Sequence, residues 1–213
     1  PGTLKTDPEN LWLAHMPRVR LPAEQIRDQA LAVSGLLNRK IGGSPVFPVQ
    51  TAGYWERRVL PGKWKESPGK DRYRRTMYTY WRRMALHPTL ELLNAPAREN
   101  CVVRRNVSNV PTQALALLND PIFVEAASAF ARRLLGEVKN DTGKRLDRAF
   151  RLALGRLPDQ SERMAFLRFL EEQVEDLAKD EQAVRKIAGE RELAAWTLAC
   201  SVLLNLDETI TRP

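Results

Sequence analysis

The residues best equipped for chemistry in this chain are arginines. Arg98-Glu99-Asn100-Cys101 is followed at once by Arg104-Arg105-Asn106, with Tyr78, Arg82 and Arg83 upstream. A guanidinium fork grips a carboxylate, sulfate or phosphate through two parallel hydrogen bonds, and a glutamate such as Glu99 beside it can act as acid or base. Two functions follow from this pattern. One is a surface that binds an anionic partner; the other is an enzyme site at Arg98, Glu99, Arg104, Arg105 and Tyr78, completed by a neighbouring domain. The same pieces also build structural ion-pair networks, in which arginines pin loops to acidic side chains and carbonyls.

Other chemistries find little material. There are two histidines, His15 and His87, so a serine or cysteine nucleophile would have to draw its base from one of them. No metal site is expected, since HExxH, CxxC and EF-hand patterns are all missing from the sequence. Gly42-Gly43-Ser44 lacks the Lys-Ser/Thr pair that would make it a phosphate loop. Cys101 and Cys200 are too few for a disulfide framework; one bridge between them stays open, although Cys200 falls on an apolar helical stripe where a buried thiol is expected.

The charge is concentrated. The chain of 213 residues carries a net charge of +8, and residues 54–105 hold 13 Lys/Arg against 5 Asp/Glu, so that one segment accounts for the whole excess. Positive potential of this kind draws anionic partners. With 43% hydrophobic residues there is enough material for a core. The longest apolar run, Leu193 to Leu206, is broken by Thr197, Ser201 and Asn205 and is too short to span a bilayer. The opening Pro1-Gly2-Thr3 predicts a piece of a longer chain.

The elements that must hold these residues are mainly helical. Residues 1–213 read as one domain, with an N-terminal helix and basic irregular region over 1–109 and a helical half over 110–213. The first helix is expected from Pro22 to about Leu37, with Ile26, Ala30, Val33 and Leu37 on one face. A long Pro/Gly-rich loop follows, in which Tyr54, Trp55 and Trp64 sit among Arg57, Arg58, Lys63 and Lys65, an arrangement that either stacks on ligands or anchors the loop. Thr76 to Trp81 has the composition of a short strand, and His87 to Leu93 of a short helix. Helices are expected from Pro111, from Asp120-Pro121 up to a stop at Gly136, around Leu146 to Leu154 with closure at Gly155, and from Leu157-Pro158-Asp159 with Leu167, Leu170, Val174 and Leu177 inward. The last carries Leu193, Trp196, Thr197, Cys200, Leu203 and Leu204 on one stripe.

Several blocks taken together resemble a known family: Asn94 to Cys101, Val103 to Asn106, Pro111 to Leu115, Leu117 to Val124, Arg20 to Glu24 with Ile26-Arg27-Asp28 and Ser34-Gly35, Tyr78 with Trp81-Arg82-Arg83, Leu154-Gly155-Arg156 with Pro158, and Leu203 to Thr209. The chain resembles the planctomycete-specific C-terminal domain of exported cytochrome-associated proteins, the PSD domain, a domain of unknown function (1553). That resemblance implies a periplasmic or secreted setting within a larger bacterial protein, with c-type-cytochrome-like companion domains that would carry any haem. The haem-attachment Cys-x-x-Cys-His is missing from this sequence, and no cofactor is expected in it. The expected role is an accessory domain that either binds an anionic partner, a sulfated or acidic polysaccharide, or docks a cytochrome-like neighbouring domain; export argues against nucleic acid.

Overall fold

The computed structural model describes residues 7–14, 16, 18–51, 53–54, 63–82 and 85–212. Helix α1 (Ala23–Ser34) turns Ala23, Ile26, Ala30, Leu31 and Val33 into the core. It is shorter than the apolar spacing predicts because Gly35 takes a left-handed φ of 82° and ends it. Leu37 then folds back, its N–H donating to the Leu31 carbonyl at 2.9 Å.

After the loop and the short helix α2 (Pro88–Leu92), the chain is helical almost to its end: α3 (Pro111–Asn119), α4 (Pro121–Glu137), α5 (Thr142–Ala153), α6 (Gln160–Lys179), α7 (Glu181–Ile187), α8 (Arg191–Asn205) and α9 (Asp207–Ile210). Their starts are written in capping residues. Asp120 accepts the Ile122 N–H at 3.0 Å with Pro121 in the first turn, and Asp159 and Glu162 form a reciprocal capping box at 2.8 Å each way. Helix α4 runs one residue past Gly136, because Glu137 accepts from both Arg133 and Arg148 at 2.7 Å and offsets the roughly 1 kcal/mol that a helical glycine costs. Helix α7 has no counterpart in the sequence reading; it is a short piece capped by Asp180.

Helix α8 is the centre of the assembly, with nine of its fifteen residues buried. Ala194, Ala195 and Ala199 meet a helix, α4, that presents Ala126, Ala127 and Ala131, and this pairing of small residues lets the two backbones approach closely while Phe130, Phe150 and Leu203 fill the space around them. The expected inward residues of α6 divide: Leu170 and Leu177 are buried, whereas Val174 is partly open. Cys200 is fully buried and Cys101 is exposed, so the two are not bridged; burial pushes the Cys200 thiol well above its ordinary value.

The expected strand at Thr76–Trp81 does not form. Asp28 Oδ1 accepts from both the Thr76 N–H (2.7 Å) and its hydroxyl (2.6 Å), and this local competition bends Thr76–Tyr78 into a 3₁₀ turn. What remains of strand character is one isolated bridge between Val46 and Thr79. Among the described residues two strands form, β1 (Val19–Arg20) and β2 (Thr211–Arg212), which pair antiparallel and tie the segment before α1 to the segment after α9.

The irregular middle is held to α1 by one buried cation. Arg27 is 2% exposed, and its guanidinium donates to the carbonyls of Arg72 (2.8 Å) and Arg74 (3.0 Å) and to the Thr76 hydroxyl (3.1 Å). Removing it would leave three buried acceptors unpaired. Arg27→Met should therefore destabilise the fold by about 3 kcal/mol, through lost hydrogen bonds to a charged group. The urea midpoint checks this, and limited proteolysis of residues 36–80 should accelerate in the variant.

Candidate anion-binding surface

The chain leaves α2 at Asn94, whose left-handed φ of 64° turns it outward. It returns at α3, and the excursion between is closed by side chains. Asn94 Nδ2 donates to Ser108 Oγ at 2.6 Å, and Gln113 Nε2 donates to that same oxygen (3.1 Å) and to the Leu92 carbonyl (2.9 Å). Gln113 in turn accepts from Arg20 at 2.9 Å. It can do all this because α3 sends only Gln113 and Leu117 inward. A single polar residue on an apolar helical face was the sequence signal for it.

Within the excursion, Arg104, Arg105, Asn94 and Asn106 line a basin of about 280 Å³, with Val102 and the small residues Ala95, Pro96 and Ala97. Glu91, from α2, completes the wall. Its Oε2 accepts from the Tyr54 hydroxyl at 2.6 Å. Arg105 donates to Glu24 of α1 at 2.7 Å, whereas Arg104 is exposed and has no carboxylate partner among the described residues. The basin therefore offers cationic donors from the loop, beside a carboxylate already held by Tyr54.

The sequence-expected residues are distributed as follows. Arg104 and Arg105 are brought together in the basin. Arg98, at a left-handed φ of 62°, lays its guanidinium over the Trp81 ring 4.4 Å away, outside the lining. Glu99 is exposed on the outer loop, and the glutamate that faces the arginines is Glu91. Tyr78 lies elsewhere: its hydroxyl accepts the Gly42 N–H at 2.9 Å and its ring sits under Arg74, 4.0 Å from the guanidinium. Arg82 is half-buried in a bridge with Ala85 and does not line the basin. Arg83 lies outside the described residues, as do His15, Trp55, Arg57 and Arg58. Glu91 was not singled out from the sequence, and Asn94 and Asn106 stood only as parts of longer motifs, since their convergence depends on the loop closure.

Part of the positive excess is consumed inside. Arg74 is buried and donates to the Lys40 and Ser44 carbonyls, both at 3.2 Å, and Arg72 is shared between Glu66 (2.9 Å) and Glu125 (2.6 Å). Lys63, Lys65, Lys70, Arg98 and Arg104 stay on the surface.

The family described as PSD1, protein of unknown function (DUF1553), matches residues 1–170. The chain belongs to that family. Neither a curated protein nor a solved structure matches it. In this PSD1 chain the blocks that carry the resemblance split by task. Arg27-Asp28, Asn119-Asp120-Pro121 and Leu154-Gly155-Arg156 build the frame; Arg156, for example, forks onto Glu162 (2.6 and 2.7 Å) and reaches Glu208 (2.6 Å), locking the α5–α6 turn to α9. Asn94 to Asn106 and Gln113 build the basin and its closure.

The wall behind the basin rests on aromatic packing of the long loop. Trp64 donates to the Pro48 carbonyl at 2.8 Å and meets Phe47 and His87 edge-on, while Phe47 stacks on Tyr80. Here Trp64 anchors the loop. His87 Nε2 donates to the Val49 carbonyl at 2.9 Å, which leaves Nδ1 buried and without a partner. Burial, with the Arg27 charge adding to it, lowers the His87 pKa from 6.5 to about 4. An unfolded chain binds this proton below pH 6.5 and the folded one does not. Stability from this group is thus complete above pH 6.5 and lost as pH falls towards 4, by about 3 kcal/mol in all. Glutamine keeps the donor to Val49 without the titration, so the stability gap between pH 7 and pH 4 should shrink by that amount in His87→Gln, read from urea midpoints.

Proposed function

We propose that this PSD1 chain is an interaction domain of a larger exported bacterial protein, and that its basin takes an anionic, hydroxyl-bearing unit of a sulfated or acidic polysaccharide. The observation that carries this reading is the exposed guanidinium of Arg104 beside Arg105, Asn94, Asn106 and Glu91 in one concavity. A sulfate or carboxylate group suits the guanidinium fork, sugar hydroxyls suit Glu91 as acceptor and the amides as donors, and the volume is at the small end for ligand sites, which fits a short stretch of chain. A periplasmic or secreted setting, which the family resemblance implies, would expose the domain to such polymers. Haem, on this reading, belongs to companion domains.

A second reading is an enzyme acting on the same class of polymer. It is favoured by the 2.6 Å hydrogen bond between the Tyr54 hydroxyl and Glu91, which sets a tyrosine and a carboxylate opposite two arginines. Appearance of new reducing ends on incubation with dextran sulfate or polygalacturonate would favour it over plain binding.

Binding to dextran sulfate, with neutral dextran as control, is the direct test. The association constant should fall steeply with added salt, and Arg104→Ala should weaken it about tenfold, the worth of one charge-assisted contact. Lys179→Ala, on the far helix α6, should leave it unchanged. Affinity that ignores salt and Arg104 would sink the reading.

A further inference from the structure

Two surfaces of this molecule complement each other, one on the rim of the basin and one remote from it. The first is the outer edge of the excursion. Residues 96–109 make no backbone-to-backbone hydrogen bond among the described residues. Val103 is fully exposed and Val102 more than half exposed, between Arg98 and Arg104. Bare valines set between arginines are a surface that gains by being covered.

The second is a trough of about 420 Å³ between α6 and α8. Its floor is Leu167, Leu170, Val174 and Trp196, and its rim carries Glu171 and Glu175, one helical turn apart. Both glutamates are exposed and unpaired among the described residues, whereas the third rim carboxylate, Glu192, is held by Arg145 at 2.7 Å. They begin a stretch, residues 171–181, with six acidic residues against one lysine. An apolar floor under a negative rim accepts an apolar tip with a positive collar.

A lipid bilayer fits the valine edge poorly, because hydrocarbon cannot satisfy its free N–H and C=O groups. Pairing of two identical edges about a two-fold axis would set Arg98 and Arg104 against their own copies. A second copy offering its trough takes only the valine tip, avoids the like-charge contact and supplies carboxylates where the edge supplies guanidiniums.

We propose that this chain associates with itself head to tail, the Val102–Val103 tip and Arg104 of one copy seated in the α6–α8 trough of a second copy. Such a contact is heterologous, so each copy keeps one free edge and one free trough, and association can grow past the dimer. Val102 and Arg104 also line the basin, so a polyanion and a second copy compete for that edge, whereas Glu171 and Glu175 lie outside it and report on self-association alone.

Sedimentation velocity of the wild-type chain across concentration is the experiment. Expected is a sedimentation coefficient that rises with concentration at low salt and returns to the monomer value near 1 M salt, where the screening length falls to about 3 Å. Val103→Asp, Arg104→Glu, and the pair Glu171→Lys with Glu175→Lys should each weaken association at least tenfold. All four positions are exposed, and circular dichroism checks that the variants stay folded. Mixing Arg104→Glu with the Glu171→Lys, Glu175→Lys chain should restore association, since each copy then meets an opposite charge. A wild type that stays monomeric at every concentration, or variants that fail to complement, overturns the proposal. Dextran sulfate binding by a monomeric wild type would sink this inference alone and leave the polysaccharide reading standing.

Discussion

A guanidinium sealed inside the protein sets the conditions for everything around it. Arg27 is dry enough that desolvation draws its pKa down to about 10, against the pull of Asp28 and Asp120, yet it stays charged at neutral pH and must be surrounded by acceptors. The backbone of the irregular middle supplies them. Because the carbonyls of Arg72 and Arg74 point at this cation, the stretch from Arg72 to Thr76 is fixed against α1, and Asp28 next door fixes the turn that follows. Trp81, His87 and α2 are placed from there, and with them Glu91 and the root of the arginine excursion. A segment poor in regular structure is thus specified by charge solvation, with peptide dipoles taking the role of water.

Arginine has two roles in this chain that composition does not distinguish. Arg27, Arg72, Arg74, Arg145 and Arg156 are turned inward or locked to carboxylates and carbonyls, where the planar fork ties elements distant in sequence. Arg98 and Arg104 are turned outward on a loop that others hold. Their neighbours make the difference: the first group falls near acidic residues or helix ends, and the second on a stretch whose own peptide groups are unpaired.

The helices were largely legible because their information is local. Asp120-Pro121 announces α4 and the stripe from Phe123 to Leu134 confirms it; Asp159 with Glu162 does the same for α6, and the spacing from Leu193 to Leu204 marks the face of α8 that is buried. The middle was legible only in composition. Thr76 to Trp81 has strand-forming residues, but a carboxylate 48 positions away decides its shape. Of the basin, Arg104 and Arg105 could be picked out by type, whereas Glu91 and Asn94 join them only through the closure made by Gln113. Tyr78 shows the converse, a residue of suitable type whose hydroxyl serves a turn at Gly42.

That closure has a further consequence. Since Asn94 and Ser108 are stapled at 2.6 Å, the chain between them departs from and rejoins the scaffold at nearly one point. Such an omega-shaped excursion can lengthen, shorten or change its residues at little entropic expense, because the closure entropy varies slowly with loop length. Residues on its outer edge can therefore change without the core having to be solved again.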